Sequence, residues 1–216
     1  MKYIIFFIAV LLAVFCRVFL ISVYKVSSQS MAPAVLAGDF ILSLNAAYGF
    51  KNPWSNEVYF EVKPKQGELI AFHKQSKIYI KRVLAVGPNE IEFRNGEYFI
   101  NSMKCDYIFK EDTEIDFYGF FEEKCSSNSY KIIKLIDGSK TASTSKLLSK
   151  LKLEDRQIFV AADHRNFTAD PDVAEIISVD QIIGKPVFIW MSYSSTQDFI
   201  SKTLGLRWNR ILTKLN

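Results

Sequence analysis

The sequence predicts a mainly β domain carried on one N-terminal transmembrane helix. Three observations predict it. An unbroken apolar run opens the chain. Many short, alternating segments follow, separated by Gly, Pro and Asn-Gly turns. Aromatic residues are frequent, with 18 Phe and 10 Tyr among 216 residues, and such side chains suit pleated, half-buried surfaces. With hydrophobic residues at 49%, the chain is not of a disordered class, and its length suits one domain plus an anchor. The net charge of +4 is scattered, which excludes a nucleic-acid footprint and is compatible with an anionic membrane surface.

Tyr3 to Cys16 is apolar throughout, and after Arg17 the segment Val18 to Val23 continues with only Ser22 as a polar interruption. As a helix, the 21 residues from Tyr3 to Val23 would extend about 31 Å, matching a hydrocarbon core of roughly 30 Å. The residues between Phe15 and Leu20 are bulky or charged, which argues against a cleaved secretory signal, and Phe15 before Cys16 argues against a lipoprotein cleavage site. Arg17 lies near one end, where a long side chain snorkels to the interface. Lys2 and the terminal amine are balanced by Arg17 and Lys25, so charge alone does not orient the anchor. Residues 1–25 are read as the anchor and 26–216 as the domain.

Within the domain, Val35 to Leu44 reads as a turn at Gly38-Asp39 feeding a strand. Tyr48, Phe50, Pro53 and Trp54 form an aromatic loop, which fits a membrane-facing patch or a core cluster equally well. Glu68 to Phe72, after Gly67, and Ile78 to Val86 read as strands, and Asn89 to Ile100 as a hairpin turning at Arg94-Asn95-Gly96. Met103 to Lys152 is less patterned, richer in charge and serine, and is expected to be an inserted cap. Gln157 to Ala162 is a strand leading into a polar loop, Gln181 to Met191 another strand, and Leu204 to Leu215 a basic, amphipathic tail. Of three cysteines, Cys16 lies in the apolar run. Cys105 and Cys125 would be bridged in an oxidising compartment and reduced in the cytoplasm. With two histidines and no Cys-x-x-Cys, no metal site is expected.

The chemistry-bearing stretches are Ser28 to Phe40 and Tyr79 to Glu90. The first places serines in a polar turn directly after the apolar run. The second places Lys81 inside an apolar strand beside Arg82. Serine is a poor nucleophile without a base, and a desolvated lysine can be one: a free lysine is protonated at neutral pH, with a pKa of about 10.4, and accepts a proton only where its surroundings favour the neutral form. A one-residue slip of register would exchange Lys81 and Arg82 between faces.

These stretches belong to an ordered set: Ser28-x-Ser30-Met31-x-Pro33 with Gly38-Asp39; Gly67-Glu68-Leu69-Ile70-Ala71-Phe72; Tyr79-Ile80-Lys81-Arg82-Val83; Asp163-x-Arg165-x-x-Thr168-x-Asp170; and Ile183-Gly184-Lys185. The set resembles the sequence boxes of bacterial type I signal peptidases, and the tail Gly205 to Ile211 is similar to the ending of the Gram-negative members. The resemblance implies a signal-peptidase-like β-rich catalytic domain. Its activity would be a serine endopeptidase removing signal peptides from exported preproteins at the outer face of the cytoplasmic membrane. Ser30 matches the nucleophile, Lys81 the general base, and Ser28 the hydroxyl that joins the Ser30 amide in the oxyanion hole. Substrates would carry small residues at the first and third positions before the cut. The apolar surface near the site would meet lipid, and no metal or organic cofactor is implied.

The last box departs from the pattern. Ala162 replaces a glycine, His164 an asparagine and Thr168 a serine that orients the lysine; Asp170 matches, but Asp172 stands in place of an arginine. Arg165 is therefore expected to partner Asp163 or Asp170. His164 suggests a Ser-His dyad, although Lys81 already fills the base role. Two other functions fit the same residues: a specialised maturation peptidase of a secretion or conjugation system with few clients, and a non-catalytic relative that binds leader peptides.

Overall fold

A computed structural model describes residues 2–15, 17, 20–51, 58–94, 96–112, 118–126, 128–136, 150–165, 173–195 and 204–215. Helix α1 (Lys2–Phe15) has 14 residues, about 21 Å at about 1.5 Å per residue. No helix among the described residues is long and apolar enough to cross a membrane. The expected 21-residue helix is not what forms, because Ile21–Lys25 is strand β1. Ile21, Val23 and Tyr24 are β-branched or aromatic, and a ladder with β2 (Asp39–Leu44) draws them into the sheet, from Ile21 opposite Leu44 to Lys25 opposite Phe40.

After β2 come a 3-10 turn at Asn45–Tyr48 and the short pair β3 (Phe50–Lys51) and β4 (Val58–Tyr59). β5 (Leu69–Lys74) and β6 (Lys77–Val86) form one hairpin, and β7 (Glu90–Arg94) and β8 (Glu97–Ile100) the second. That second hairpin falls where the turn signal predicts it, Asn95 itself lying outside the described residues. Then follow β9 (Met103–Lys104), β10 (Asp106–Asp112), β11 (Tyr118–Cys125), β12 (Asn128–Leu135) and β13 (Leu151–Lys152). The chain continues through β14 (Gln157–Ala161), β15 (Ala174–Ser178), β16 (Ile182–Ser194), β17 (Gly205–Leu206) and β18 (Thr213–Lys214).

The main sheet runs β1-β2-β16-β5-β6-β14-β15, with β17 and β18 also paired to β16; β10-β11-β12 and β13-β7-β8-β9 form two smaller sheets. One apolar cluster joins Leu84, Ala85 and Phe159 of the main sheet to Ile91, Tyr98 and Ile100. A second gathers Ile70, Phe72, Val83, Ile158 and Val160. A third gathers Met31, Val35, Ile41, Leu69, Ala162 and Ile189. Strand β6 contributes to both faces, so it is buried from Lys81 to Ala85.

Two expectations change here. The stretch 103–152, less patterned in sequence, contains a three-stranded antiparallel sheet with one register shift, between Phe109 and Glu111. Its outward charges, such as Lys110 and Glu122 at 2.6 Å, hide the alternation. In the aromatic loop Tyr48 is a core residue whose hydroxyl donates to Glu68 at 3.0 Å, while Pro53 and Trp54 lie outside the described residues. Cys105 and Cys125 form a disulfide that ties the chain before β10 to the end of β11.

Candidate active site

The serines sit in a turn closed at its base by backbone. Val26 N donates to Asp39 O at 2.8 Å and Gly38 N to Val26 O at 2.8 Å; inside the turn Ala32 N donates to Gln29 O and Val35 N to Met31 O. The Ala32-Pro33 peptide bond is cis. Gly38 has φ +88°, and a Cβ there would collide with the Tyr193 carbonyl oxygen, so the turn needs glycine at this point.

The buried carboxylate of Asp39 locks the turn. One oxygen accepts from Leu36 N at 2.8 Å and from Arg210 at 2.6 Å; the other accepts from the Ser192 hydroxyl at 2.6 Å and from Arg207 at 3.1 Å. The same arginines donate to Ala37 O (Arg207, 2.7 Å) and Ala34 O (Arg210, 3.0 Å). The basic tail is therefore a clasp on the serine turn.

Ser30 is 7% exposed. Its amide donates to Ser28 Oγ at 3.1 Å, and its carbonyl accepts from the His164 amide at 2.9 Å. A cleft of about 650 Å³ opens beside it. One wall is Val23 to Ser28, the other Ser76 to Ile80, with Ser30, Met31 and Val35 between them. Lys81, next to Ile80, is 0% exposed. Met31 and Ile80, the neighbours of Ser30 and Lys81, pack in one apolar cluster.

Lys81 and Arg82 are both buried, and as successive strand residues they face opposite ways. Arg82 holds Asp163 in a two-pronged pair, Nε to Oδ1 and Nη2 to Oδ2, each 2.7 Å. It also donates to Gly67 O at 2.7 Å and lies over the Tyr130 ring. Burial alone would lower the Arg82 pKa, but Asp163 outweighs it and the net shift is upward. Arg82 is thus removed from the cleft chemistry, and the register slip does not occur.

The expected partner of Arg165 is corrected. Asp163 is already occupied by Arg82, and Arg165 instead grips the fully buried Glu123 of β11. Burial pushes the Arg165 pKa down, yet Glu123 and the surrounding Tyr130, Tyr98 and Tyr107 leave it raised. The loop itself is laced to β12: Ile133 N donates to Asp163 O and Arg165 N to Ile133 O, each at 2.9 Å. The His164 ring packs edge-on against Tyr118 at 5.3 Å, and burial pushes its pKa down to about 4. His164 is not among the residues lining the cleft. Thr168 and Asp170, with Asp172, lie outside the described residues.

Sequence reasoning missed Glu123, which sits in a stretch without pattern. It also quoted Asp39, Arg207 and Arg210 within motifs but gave no sign that they meet.

Fold and site together set a serine turn beside a strand that carries a buried lysine. The sequence family described as signal peptidase, peptidase S26, matches residues 1–191, and the chain belongs to it. Among its relatives, signal peptidase I of Buchnera aphidicola subsp. Baizongia pistaciae is 27% identical over 231 residues, covering 86% of this chain and 74% of the relative. Signal peptidase I of Helicobacter pylori (strain ATCC 700392 / 26695) is 22% identical, covering 94% and 87%. Signal peptidase I of Bacillus caldolyticus is 25% identical, covering 84% and 86%. The protein is a serine endopeptidase that removes signal peptides.

Proposed function

We propose that it does so by a Ser-Lys mechanism, with Ser30 as nucleophile, Lys81 as general base and Ser28 as the second oxyanion donor. The observation that carries this reading is the cleft between Val23–Ser28 and Ser76–Ile80, with Ser30 within it and a fully buried lysine following Ile80 in the chain, behind the lining. In the proposed reaction Ser30 Oγ attacks the scissile carbonyl while Lys81 Nζ takes its proton. The oxyanion is held by the Ser30 amide and the Ser28 hydroxyl: when substrate binds, the amide turns its one hydrogen from Ser28 Oγ to the oxyanion, and the Ser28 hydroxyl rotates its proton into the cleft. Lys81 returns the proton to the departing amine of the mature protein. Water, deprotonated by Lys81, then attacks the acyl ester; the ester C–O bond breaks, Lys81 hands the proton to Ser30 Oγ, and the signal peptide leaves with its new carboxylate.

An extended leader fits between the two walls, where strand edges offer backbone groups to pair with. The preference for small side chains at the first and third positions before the cut belongs to this reading, as do Thr168 and Asp170 as supports of the lysine. So does the division into an anchor and an extracytoplasmic catalytic domain bearing an inserted cap. Two observations support the membrane assignment. The side chains of Tyr3 to Ile8 are exposed on α1, which suits lipid, and the Cys105–Cys125 disulfide suits an oxidising compartment.

The test is cleavage of an Ala-x-Ala preprotein in detergent by the wild type, Ser30→Ala and Lys81→Ala across a pH series. Both variants should be inactive at every pH of the series. Full activity of Lys81→Ala would remove lysine from the mechanism. A wild type that cuts only one or a few preproteins of a panel would make it a specialised peptidase.

A further inference from the structure

We infer that Glu123 is a positioning residue for the nucleophile, acting through Arg165 and the loop 163–165. The inference rests on Ser30 being that nucleophile. The Ser30 carbonyl is held by the His164 amide, so the placement of Ser30 depends on where His164 is held. His164 is flanked by two buried ion pairs: Asp163 with Arg82 on one side and Arg165 with Glu123 on the other. Arg82 belongs to β6, the strand that carries Lys81, whereas Glu123 belongs to β11 of the three-stranded sheet. Through these pairs the loop references Ser30 both to the strand of its base and to a sheet that lies outside the cleft.

The surroundings of Glu123 fit a geometric role. Its neighbours on β11 include Glu122, which answers the surface residue Lys110, and the exposed Lys124. Glu123 alone of these three has no exposed surface. A buried carboxylate is costly unless it is paired, and apolar side chains of similar volume are often no less stabilising than such a pair. What the pair adds is direction: Arg165 Nη2 meets Glu123 Oε2 while the guanidinium lies over the Tyr98 ring at 5.1 Å. A misplacement of about 1 Å at reacting groups is enough to cost about a hundredfold in rate.

The experiment is steady-state cleavage of a preprotein by the full chain in detergent micelles, comparing the wild type with Glu123→Gln, the double variant Glu123→Leu/Arg165→Met, and Ser30→Ala. Glu123→Gln should lower kcat at least tenfold while KM stays within twofold. The midpoint of the acidic limb should not move, since Glu123 transfers no proton. A folded Glu123→Gln enzyme with wild-type kcat overturns the inference. If that variant does not fold, the double variant carries the same reading: lowered kcat at unchanged KM supports positioning, and wild-type kcat overturns it. An active Ser30→Ala enzyme would instead sink the nucleophile assignment, whatever Glu123 does.

Discussion

The amide of His164 donates to the carbonyl of Ser30 at 2.9 Å, so the serine is held from both ends of its own residue. Its amide rests on Ser28 Oγ and its carbonyl on the loop that follows β14. The histidine contributes backbone to this contact, while its ring is stowed against Tyr118.

That stowed ring makes stability depend on pH. The His164 pKa falls to about 4 in the folded state, against about 6.5 in an unfolded chain. Between those values the unfolded chain binds the proton and the folded one does not, so the contribution is complete above about pH 6.5 and is lost as pH falls toward 4. The loss is about 3 kcal/mol. Denaturant melts from pH 7 to 4 should show it, and His164→Gln should flatten that part of the curve.

Removing the Ser28 hydroxyl withdraws a donor needed only as charge develops. Ser28→Ala should lower kcat by about a hundredfold to a thousandfold, roughly 3 to 4 kcal/mol, with KM little changed. A kcat within threefold of wild type in single-turnover cleavage would take Ser28 out of the oxyanion site.

Asp163→Asn leaves the Arg82 guanidinium buried with its charge uncompensated. The expected loss is about 3 to 5 kcal/mol, a drop of roughly 10 °C in melting temperature for a domain of this size. Calorimetry of the variant measures it directly.

The Cys105–Cys125 bridge closes a loop spanning a sequence separation of 20. On the chain-entropy account, removing it as Cys105→Ser/Cys125→Ser should cost about 3 kcal/mol. Unfolding of the double variant and of the reduced wild type should agree with each other.

Much of this architecture is legible in the sequence, and the gaps have physical causes. Strands β5 and β6 and the β7–β8 hairpin follow from alternation and turn chemistry that act over a few residues. Ser28, Ser30 and Lys81 stand out because a serine turn and an apolar strand lysine make chemical sense together. Three features were not legible. The sheet β10–β12 was hidden because its exposed faces carry charges that pair only once strands align. Arg165 was matched to the nearest carboxylates in sequence, whereas its partner lies on another strand, 42 residues away. The apolar run was assigned to helix as far as Val23, although Ile21–Lys25 has a waiting partner in β2. Hydrophobicity cannot distinguish a lipid neighbour from a strand.

Arg210 and Asp39, the two ends of the clasp, are 171 residues apart in sequence. Local structure around the serines can form early, but their turn gains its fastening only after a very long loop has closed, and such closures come late in folding. A protease assembled in that order stays blunt while it is still partly open. In refolding experiments peptide cleavage should therefore lag behind the recovery of β-sheet signal; simultaneous recovery would show that the turn is fastened early by other means.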